Sequence, residues 1–179
     1  MSVSLHTVTV GTYLQILPQV AGLVDKAAEH CRVHGLPDEA LTGATLAGDM
    51  WNFAKQAFEC GHHSARAIQG VRAGVFSPEL DAAPLDFAAL RREIADSLAF
   101  VERVDPAELD SIAARDMRFE FGAIRMDFTV EDFLLSFSLP NFQFHATTAY
   151  DILRNRGVAL GKRDYLGKLR LKPTAATVP

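Results

Sequence analysis

The longest amphipathic stretch of the chain covers residues 129–157 and reads TVEDFLLSFSLPNFQFHATTAYDILRNRG. Thr129 and Asp132 have the spacing of a capping box, which marks the start of a helix. Gly157 follows two arginines, an order typical of a helix end. Six side chains recur at spacings of three and four and therefore share one face: Leu134, Phe137, Asn141, His145, Thr148 and Ile152. The pattern predicts one long helix whose apolar face has a polar centre.

Pro140 lies inside this stretch. Proline has no N–H, so the carbonyl of Ser136 loses its partner and a kink is expected. Two helices that meet at Pro140 are the alternative, but the apolar pattern continues in phase and favours one kinked helix. Asn141 and His145 lie one turn apart beside the kink. Either Asn141 satisfies backbone groups that the kink exposes while His145 bonds to a neighbour, or the pair lines a polar site between helices.

Three further long helices are predicted upstream. The first covers residues 7–33, has Pro18 inside it, and stops at Gly35. The second covers residues 50–71. The third begins after Asp86, a residue type that caps helices well, and closes near residue 105.

The second helix holds several polar side chains. One stripe is predicted to face solvent and consists of Lys55, Glu59, His62 and Arg66. Gln56 and His63 lie two turns apart at the boundary of the apolar side. His62 and His63 point about 100° apart and cannot easily share an ion, so His63 alone is a candidate ligand. Asp49 either caps this helix or points into a site.

Residues 117–128 change from a helical period to a period of two. Met117, Phe119, Phe121, Ile124, Met126 and Phe128 alternate with charged residues on both sides of a glycine-first turn. That register places Glu120 opposite Arg125 and Arg118 opposite Asp127, while the apolar residues share the other face. A β-hairpin that covers the helices with its apolar face is predicted.

Composition limits the function classes. The chain has 179 residues, 49% of them hydrophobic and 22% charged, which predicts one globular domain over residues 1–167 and a flexible tail over residues 168–179. The net charge of −4 argues against nucleic acid and anionic membrane surfaces as partners. The two cysteines form no motif, and neither a signal peptide nor a membrane-spanning run is apparent. A cytoplasmic protein is expected.

Two runs of sequence resemble a known family. LPNFQFHATTAYDILRNRGVALGKRDYLG is similar to the last helix and tail of an uncharacterised branch of the DinB/YfiT-like superfamily, and GDMWNFAKQA is similar to the second helix of that branch. The resemblance extends over most of residues 1–167. It implies an all-α four-helix bundle of a group described as metalloenzymes, here with the short hairpin between helices three and four.

The resemblance also implies a site. Metal-binding members carry two histidines four residues apart on the last helix and a third on the second helix. His145 takes the place of the second histidine, Asn141 stands where the first is expected, and Gln56 falls near the third. Amide oxygens are poor partners for zinc or nickel. We therefore expect a polar site around His145 without a tightly bound metal, with His63 and Asp49 as further candidates.

Two functions remain open at this stage. The first is a non-catalytic bundle that binds a small molecule or a second copy of itself and has lost the metal. The second is a metal-dependent enzyme of the hydrolase or transferase type, in which His145 serves as ligand or general base. Fold resemblance does not choose between them, because function depends on the site.

Apolar residues outside the inner face of the last helix bear on assembly. Phe133, Phe142 and Phe144 supplement that face, and large exposed apolar patches usually mark an interface. A homodimer is therefore expected. The competing expectation is that the hairpin and the C-terminal segment cover these rings within one chain.

Overall fold

The computed structural model describes residues 3–78 and 82–172, so the predicted disorder of residues 173–179 lies outside the described residues. The helices are α1 Leu5–Val8, α2 Val10–His34, α3 Glu39–Thr42, α4 Phe53–Gly61, α5 Ala67–Ala73, α6 Phe87–Val101, α7 Pro106–Ser111, α8 Val130–Asp132, α9 Leu139–Asn155 and α10 Lys162–Leu166. The strands are β1 Val75–Phe76, β2 Asp116–Phe121 and β3 Ile124–Thr129. Two π-helical segments join helices: the first π turn, His62–Arg66, links α4 to α5, and the second π turn, Phe133–Ser138, links α8 to α9.

Long helical segments carry the core. α2 packs against α6 and α9, and α4 packs against the same two helices. The mostly helical fold is confirmed, although the described residues include short helices beyond the four that were predicted. Because α4 has neighbours on two flanks, residues 56–65 are all buried. The predicted solvent-facing stripe on this helix is therefore wrong for Glu59 and His62, which are 4% and 3% exposed.

Most local start and stop signals act as predicted. The Asp86 side chain accepts a hydrogen bond from the Ala89 N–H at 2.8 Å, and Thr129 accepts one from the Asp132 N–H at 3.1 Å. Gly157 follows α9 with a φ of +85°, a left-handed conformation that glycine adopts without strain.

The start of α4 differs from the prediction. Its N-cap is Asn52, whose side-chain oxygen accepts a hydrogen bond from the Lys55 N–H at 2.9 Å. Asp49 lies in the preceding turn and is exposed. Asn52 is among the best capping residues, so it takes the role that was assigned to Asp49 as one of two alternatives.

The chain remains helical through Pro140, and the prediction of one helix is confirmed. The second π turn directly precedes α9, in which Pro140 is the second residue, so the helical bonding changes its spacing where the proline lacks an N–H. The Asn141 side chain donates a hydrogen bond to the Phe137 carbonyl at 2.8 Å. Asn141 thus satisfies backbone at the proline, which was one of the two roles considered for it.

The hairpin has the predicted register. Glu120 pairs with Arg125 and Arg118 pairs with Asp127. Both pairs form salt bridges, at 3.1 Å and 2.6 Å respectively. The sequence did not reveal β1, which adds a parallel strand to β2 and completes a three-stranded sheet in the order β1–β2–β3.

A phenylalanine cluster joins the sheet to the helices. Its rings belong to Phe76, Phe119, Phe128, Phe133 and Phe137, and neighbouring ring centroids lie 4.9–6.2 Å apart. Aromatic rings at such separations attract one another beyond the effect of burial alone. The hairpin therefore rests on the second π turn and fixes that part of the last helical segment.

The three phenylalanines that suggested a homodimer are not alike. Phe133 and Phe142 are fully buried within the chain, whereas Phe144 is 55% exposed. Phe133 packs against Phe128 of the hairpin, as the competing expectation has it, whereas Phe142 packs against Tyr13 of α2. Only Phe144 still supports an interface by this argument.

The helical run Leu5–His34 has the length and hydropathy of a membrane-spanning segment, but half of its most apolar window is buried inside the protein. Core helices of soluble proteins share this property. Packing against α6 and α9 is sufficient to explain why α2 is so apolar.

Two glycine substitutions test how closely β1 packs on α5. A Cβ at Gly70 would lie 2.9 Å from the Phe76 Cβ and 3.2 Å from the Val75 carbonyl oxygen. We expect Gly70→Ala to lower the free energy of unfolding by about 1–3 kcal/mol, because the strand must shift. Gly22→Ala in α2 is the matched control, since nothing lies within 4 Å of its Cβ.

The control should raise stability by about 0.5–1 kcal/mol, as alanine does in an open helical position. Urea unfolding of both variants measures the difference. Equal effects of the two substitutions would contradict the close packing of β1.

Candidate functional site

Three ionisable side chains converge between α4 and α9. Glu59, His63 and His145 each offer one ligand atom, and these atoms lie within 4.8 Å of one another. Glu59 and His63 are one turn apart on the same helical segment, and His145 comes from α9, which packs against α4. All three side chains are buried. The site is therefore built at the contact of two core helices.

His145 is held by a side-chain hydrogen bond. Its Nδ1 lies 2.7 Å from the Gln56 Oε1, and the Gln56 amide nitrogen donates to the Trp51 carbonyl at 3.3 Å. An amide oxygen only accepts, so the imidazole carries its proton on Nδ1 and leaves the Nε2 lone pair available. The Trp51 ring stacks on His145 with centroids 5.7 Å apart.

His63 is held differently. Its ring stacks on His145 at 5.4 Å between centroids and lies about 6 Å from the rings of Phe76 and Phe137. Its Nδ1 is buried and has no hydrogen-bond partner among the described residues. Ring packing and the backbone therefore set the orientation of this imidazole.

Glu59 is a buried carboxylate with two partners. Oε1 lies 2.7 Å from the Lys55 ammonium, and Oε2 accepts a hydrogen bond from the His62 Nδ1 at 3.2 Å. Burial alone would raise the pKa of Glu59, but the hydrogen bonds from His62 and Lys55 outweigh it and lower the pKa to about 2. Glu59 is thus ionised at neutral pH.

Burial keeps both imidazoles neutral. It lowers the pKa of His63 to about 3, helped by the nearby His145, and lowers the pKa of His145 to about 4 despite the opposing charge of Glu59. At pH 7 both rings retain an unprotonated nitrogen. The three residues together offer two imidazole lone pairs and one negative charge.

This donor set fits a divalent transition metal. Two histidines and one carboxylate hold zinc in several hydrolases and iron in many oxygenases. The unpartnered His63 Nδ1 and the oriented His145 are the features expected of ligands.

The residues proposed from sequence have different places in this site. Gln56 and His145 are in direct contact, and His63 stacks on His145. Asn141 bonds to its own helix at the Phe137 carbonyl, and Asp49 is exposed. Neither is among the residues that converge here.

Sequence reasoning missed Glu59. It was placed on a stripe that was predicted to face solvent, because it shares that stripe with Lys55 and Arg66. A usable signal was present: Glu59 and His63 are four residues apart and must lie on one face of a helix. Because His63 is a candidate ligand, the carboxylate of Glu59, one turn earlier on the same face, is a candidate as well.

The depressed pKa values predict how stability depends on pH. The unfolded chain takes up protons at these histidines below about pH 6.5, whereas the folded chain does so only near pH 4 and pH 3. The free energy of unfolding should therefore fall as the pH drops, by about 2–4 kcal/mol between pH 7 and pH 5. Glu59 adds a further loss below about pH 4.5, its ordinary value.

Urea unfolding at several pH values, with a chelator present, measures this dependence. In the double variant H63Q/H145Q, most of this loss of unfolding free energy between pH 7 and pH 5 should disappear. If the free energy of unfolding of the double variant depends on pH as that of the parent protein does, burial does not keep the two imidazoles neutral.

Comparison with known proteins places the chain in a family. The model of the family described as Domain of unknown function (DUF1993) matches residues 5–166. No curated protein matches the sequence. The structure is similar to that of a DinB family member protein from Shewanella denitrificans, with 26% identity, a TM-score of 0.79, and coverage of 95% of this chain and 96% of that one. The chain therefore belongs to the DUF1993 family, an uncharacterised family with a DinB-like fold.

Proposed function

We propose that this protein binds a divalent transition-metal ion between Glu59, His63 and His145. The observation that carries the proposal is the buried group of two neutral imidazoles and one ionised carboxylate at the contact of α4 and α9. In this proposal the four long helical segments form the four-helix bundle that the DinB resemblance implies.

The proposed ligands differ from those that the resemblance suggested. The expectation of a degenerate metal site rested on amides at the positions of Asn141 and Gln56. Asn141 bonds to its own backbone, while Glu59 and His63 supply donors from α4 and the first π turn. Gln56 has a supporting role, since an amide that accepts from Nδ1 of a ligating histidine fixes its tautomer and orientation.

Lys55 and His62 support the third ligand in the same way. Each bonds one oxygen of Glu59. They keep the carboxylate ionised and limit its rotation. Each carboxylate oxygen has a second lone pair that a metal ion could use. A bound divalent ion would supply Lewis-acid chemistry at this position.

A metal-dependent enzyme of the hydrolase or transferase type is the second candidate. The observation that favours it is the position of His145 near the surface: this imidazole is buried, but the Trp51 and Phe144 rings that pack on it are about half exposed. Catalytic metal sites keep an open position, whereas structural sites are closed. Acetohydroxamate added to the cobalt-loaded protein should change the visible cobalt spectrum if a position is open, and no change would speak against this candidate.

Trp51 provides a direct assay for the metal, because it is the single tryptophan of the chain and stacks on His145. We expect cobalt(II) to quench its fluorescence in a saturable manner with one equivalent, and zinc to compete. H63Q and H145Q should each weaken cobalt binding by about 100-fold or more, since each removes one of three ligands. The protein must be prepared without a histidine tag.

A matched control guards against surface binding. His30 and His34 form a stacked pair one turn apart at the end of α2, where His30 is half-buried and His34 is exposed. The double variant H30Q/H34Q should retain cobalt binding at the level of the parent protein. Loss of cobalt binding in this control would contradict the proposed site, as would unchanged cobalt binding in H145Q. Either result would favour the alternative, a helical bundle that has lost its metal.

We also propose that the protein forms a homodimer. Phe144 and Trp51 are exposed aromatic residues on either side of His145, and such residues favour interfaces. Two-fold pairing is the commonest arrangement of identical chains.

Light scattering across a concentration series tests the assembly. A homodimer has twice the chain mass of 19.6 kDa. Phe144→Ser should shift the equilibrium toward monomer, while Phe121→Ser at the exposed hairpin turn should leave it unchanged. A mass near that of one chain at every concentration would contradict the dimer.

A further inference from the structure

The two π turns of the structure meet at the candidate site. The first contains His63, and the second ends at Ser138, shortly before the helix that carries His145. The Ser138 hydroxyl donates a hydrogen bond to the His63 carbonyl at 2.9 Å, across 75 residues of sequence. Ser138 is fully buried. π turns are rare and occur frequently at functional sites, so two of them joined by one bond beside the same cluster require an explanation.

Tyr13 extends this contact. Its hydroxyl is fully buried and has no hydrogen bond of normal geometry among the described residues. Burial raises the pKa of Tyr13, and the nearby Ser138 side chain opposes that effect in part. The Tyr13 ring packs edge-on against Phe142 at 4.9 Å, which holds the phenol in place. The Tyr13 hydroxyl therefore lies near the Ser138 side chain, whose own hydroxyl donates to the His63 carbonyl.

The two histidines of the site differ in what orients them. His145 has a side-chain hydrogen bond to Gln56, but the Nδ1 of His63 has no such partner. The direction of the His63 ring therefore depends on the backbone that carries it and on the rings around it. The Ser138 hydroxyl is the side-chain group that bonds to that backbone from another helical segment.

We propose that Ser138, supported by Tyr13, is a positioning residue that fixes the His63 imidazole in the metal site; this rests on the metal function proposed above. Satisfaction of a buried carbonyl is the ordinary role of such a hydroxyl, and it predicts a loss of stability alone. A positioning role predicts a change at the metal itself. Residues that orient a ligand typically alter metal affinity by 10–100-fold when they are replaced.

The test compares three single variants of the full chain and the double variant that combines the first two. Ser138→Ala removes the link, Tyr13→Phe removes only the phenol oxygen, and Thr9→Val is the control. Thr9 lies between α1 and α2, and its buried hydroxyl donates to the Leu5 carbonyl at 2.8 Å. No described hydrogen bond joins this hydroxyl to the cluster. Cobalt affinity, the visible cobalt spectrum and urea stability are measured for each variant. The His63 ring resonance, assigned with H63Q, is recorded without metal.

We expect Ser138→Ala to weaken cobalt binding about 10-fold and to change the cobalt spectrum. Tyr13→Phe should have a smaller effect in the same direction, and the double variant should be no worse than Ser138→Ala, because both act through one hydroxyl. Thr9→Val should lose stability without a change in cobalt affinity. In the metal-free protein, Ser138→Ala should shift the His63 ring resonance, and Thr9→Val should not.

An unchanged cobalt affinity and spectrum in Ser138→Ala would overturn the proposal, as would an equal loss of affinity in Thr9→Val. If the parent protein binds no cobalt, the metal function fails, and the His63 resonance then decides whether Ser138 orients this ring. A resonance that does not move in Ser138→Ala would overturn the positioning role in that case.

Discussion

A carboxylate inside a protein is costly by several kcal/mol unless charged and hydrogen-bonding groups surround it, and Glu59 meets this requirement within its own helix. Lys55 lies one turn before it in α4 and His62 lies three residues after it, at the start of the first π turn, so one continuous helical segment carries both partners of the charge. This arrangement allows α4 to pack between α6 and α9 with its polar residues buried. The neutral imidazoles of His63 and His145 then lie beside a negative charge that is already stabilised.

Different groups surround and orient the two histidines of the site. The phenylalanine cluster lies against His63 and keeps water away from that side, while Gln56 and Trp51 hold His145 near the surface. The hairpin stabilises the site indirectly, because phenylalanines on its buried face pack against the second π turn. A buried group of ligands that is oriented by separate devices from two helices is suited to bind an ion without a large rearrangement.

Sequence patterns predicted the elements whose signals are local. The caps at Asp86 and Thr129 and the hairpin register required only neighbouring residues, and all were confirmed. The site could be predicted in part: Gln56, His63 and His145 do lie together, but Glu59 was assigned to solvent. That error arose because amphipathic analysis assumes one neighbour for each helix, and α4 has two.

The sequence pattern does not encode some other features of the structure. A π turn adds a residue without changing composition, so the phase of α5 relative to α4 is not visible in the sequence. Asn141 shares a face with His145, yet its amide satisfies the Phe137 carbonyl because Pro140 disturbs the backbone nearby. The short strand β1 has two residues, too few for a period to be recognised.

Anomalous diffraction from crystals grown with zinc, collected on both sides of the zinc absorption edge, tests the central claim most directly. The account predicts an anomalous peak within about 2.0–2.2 Å of one atom from each of Glu59, His63 and His145. It also predicts that the Gln56 amide still accepts from the Nδ1 of His145. Crystals in which this position is empty, while zinc occupies only histidines outside the site such as His30 and His34, would contradict the proposed metal site.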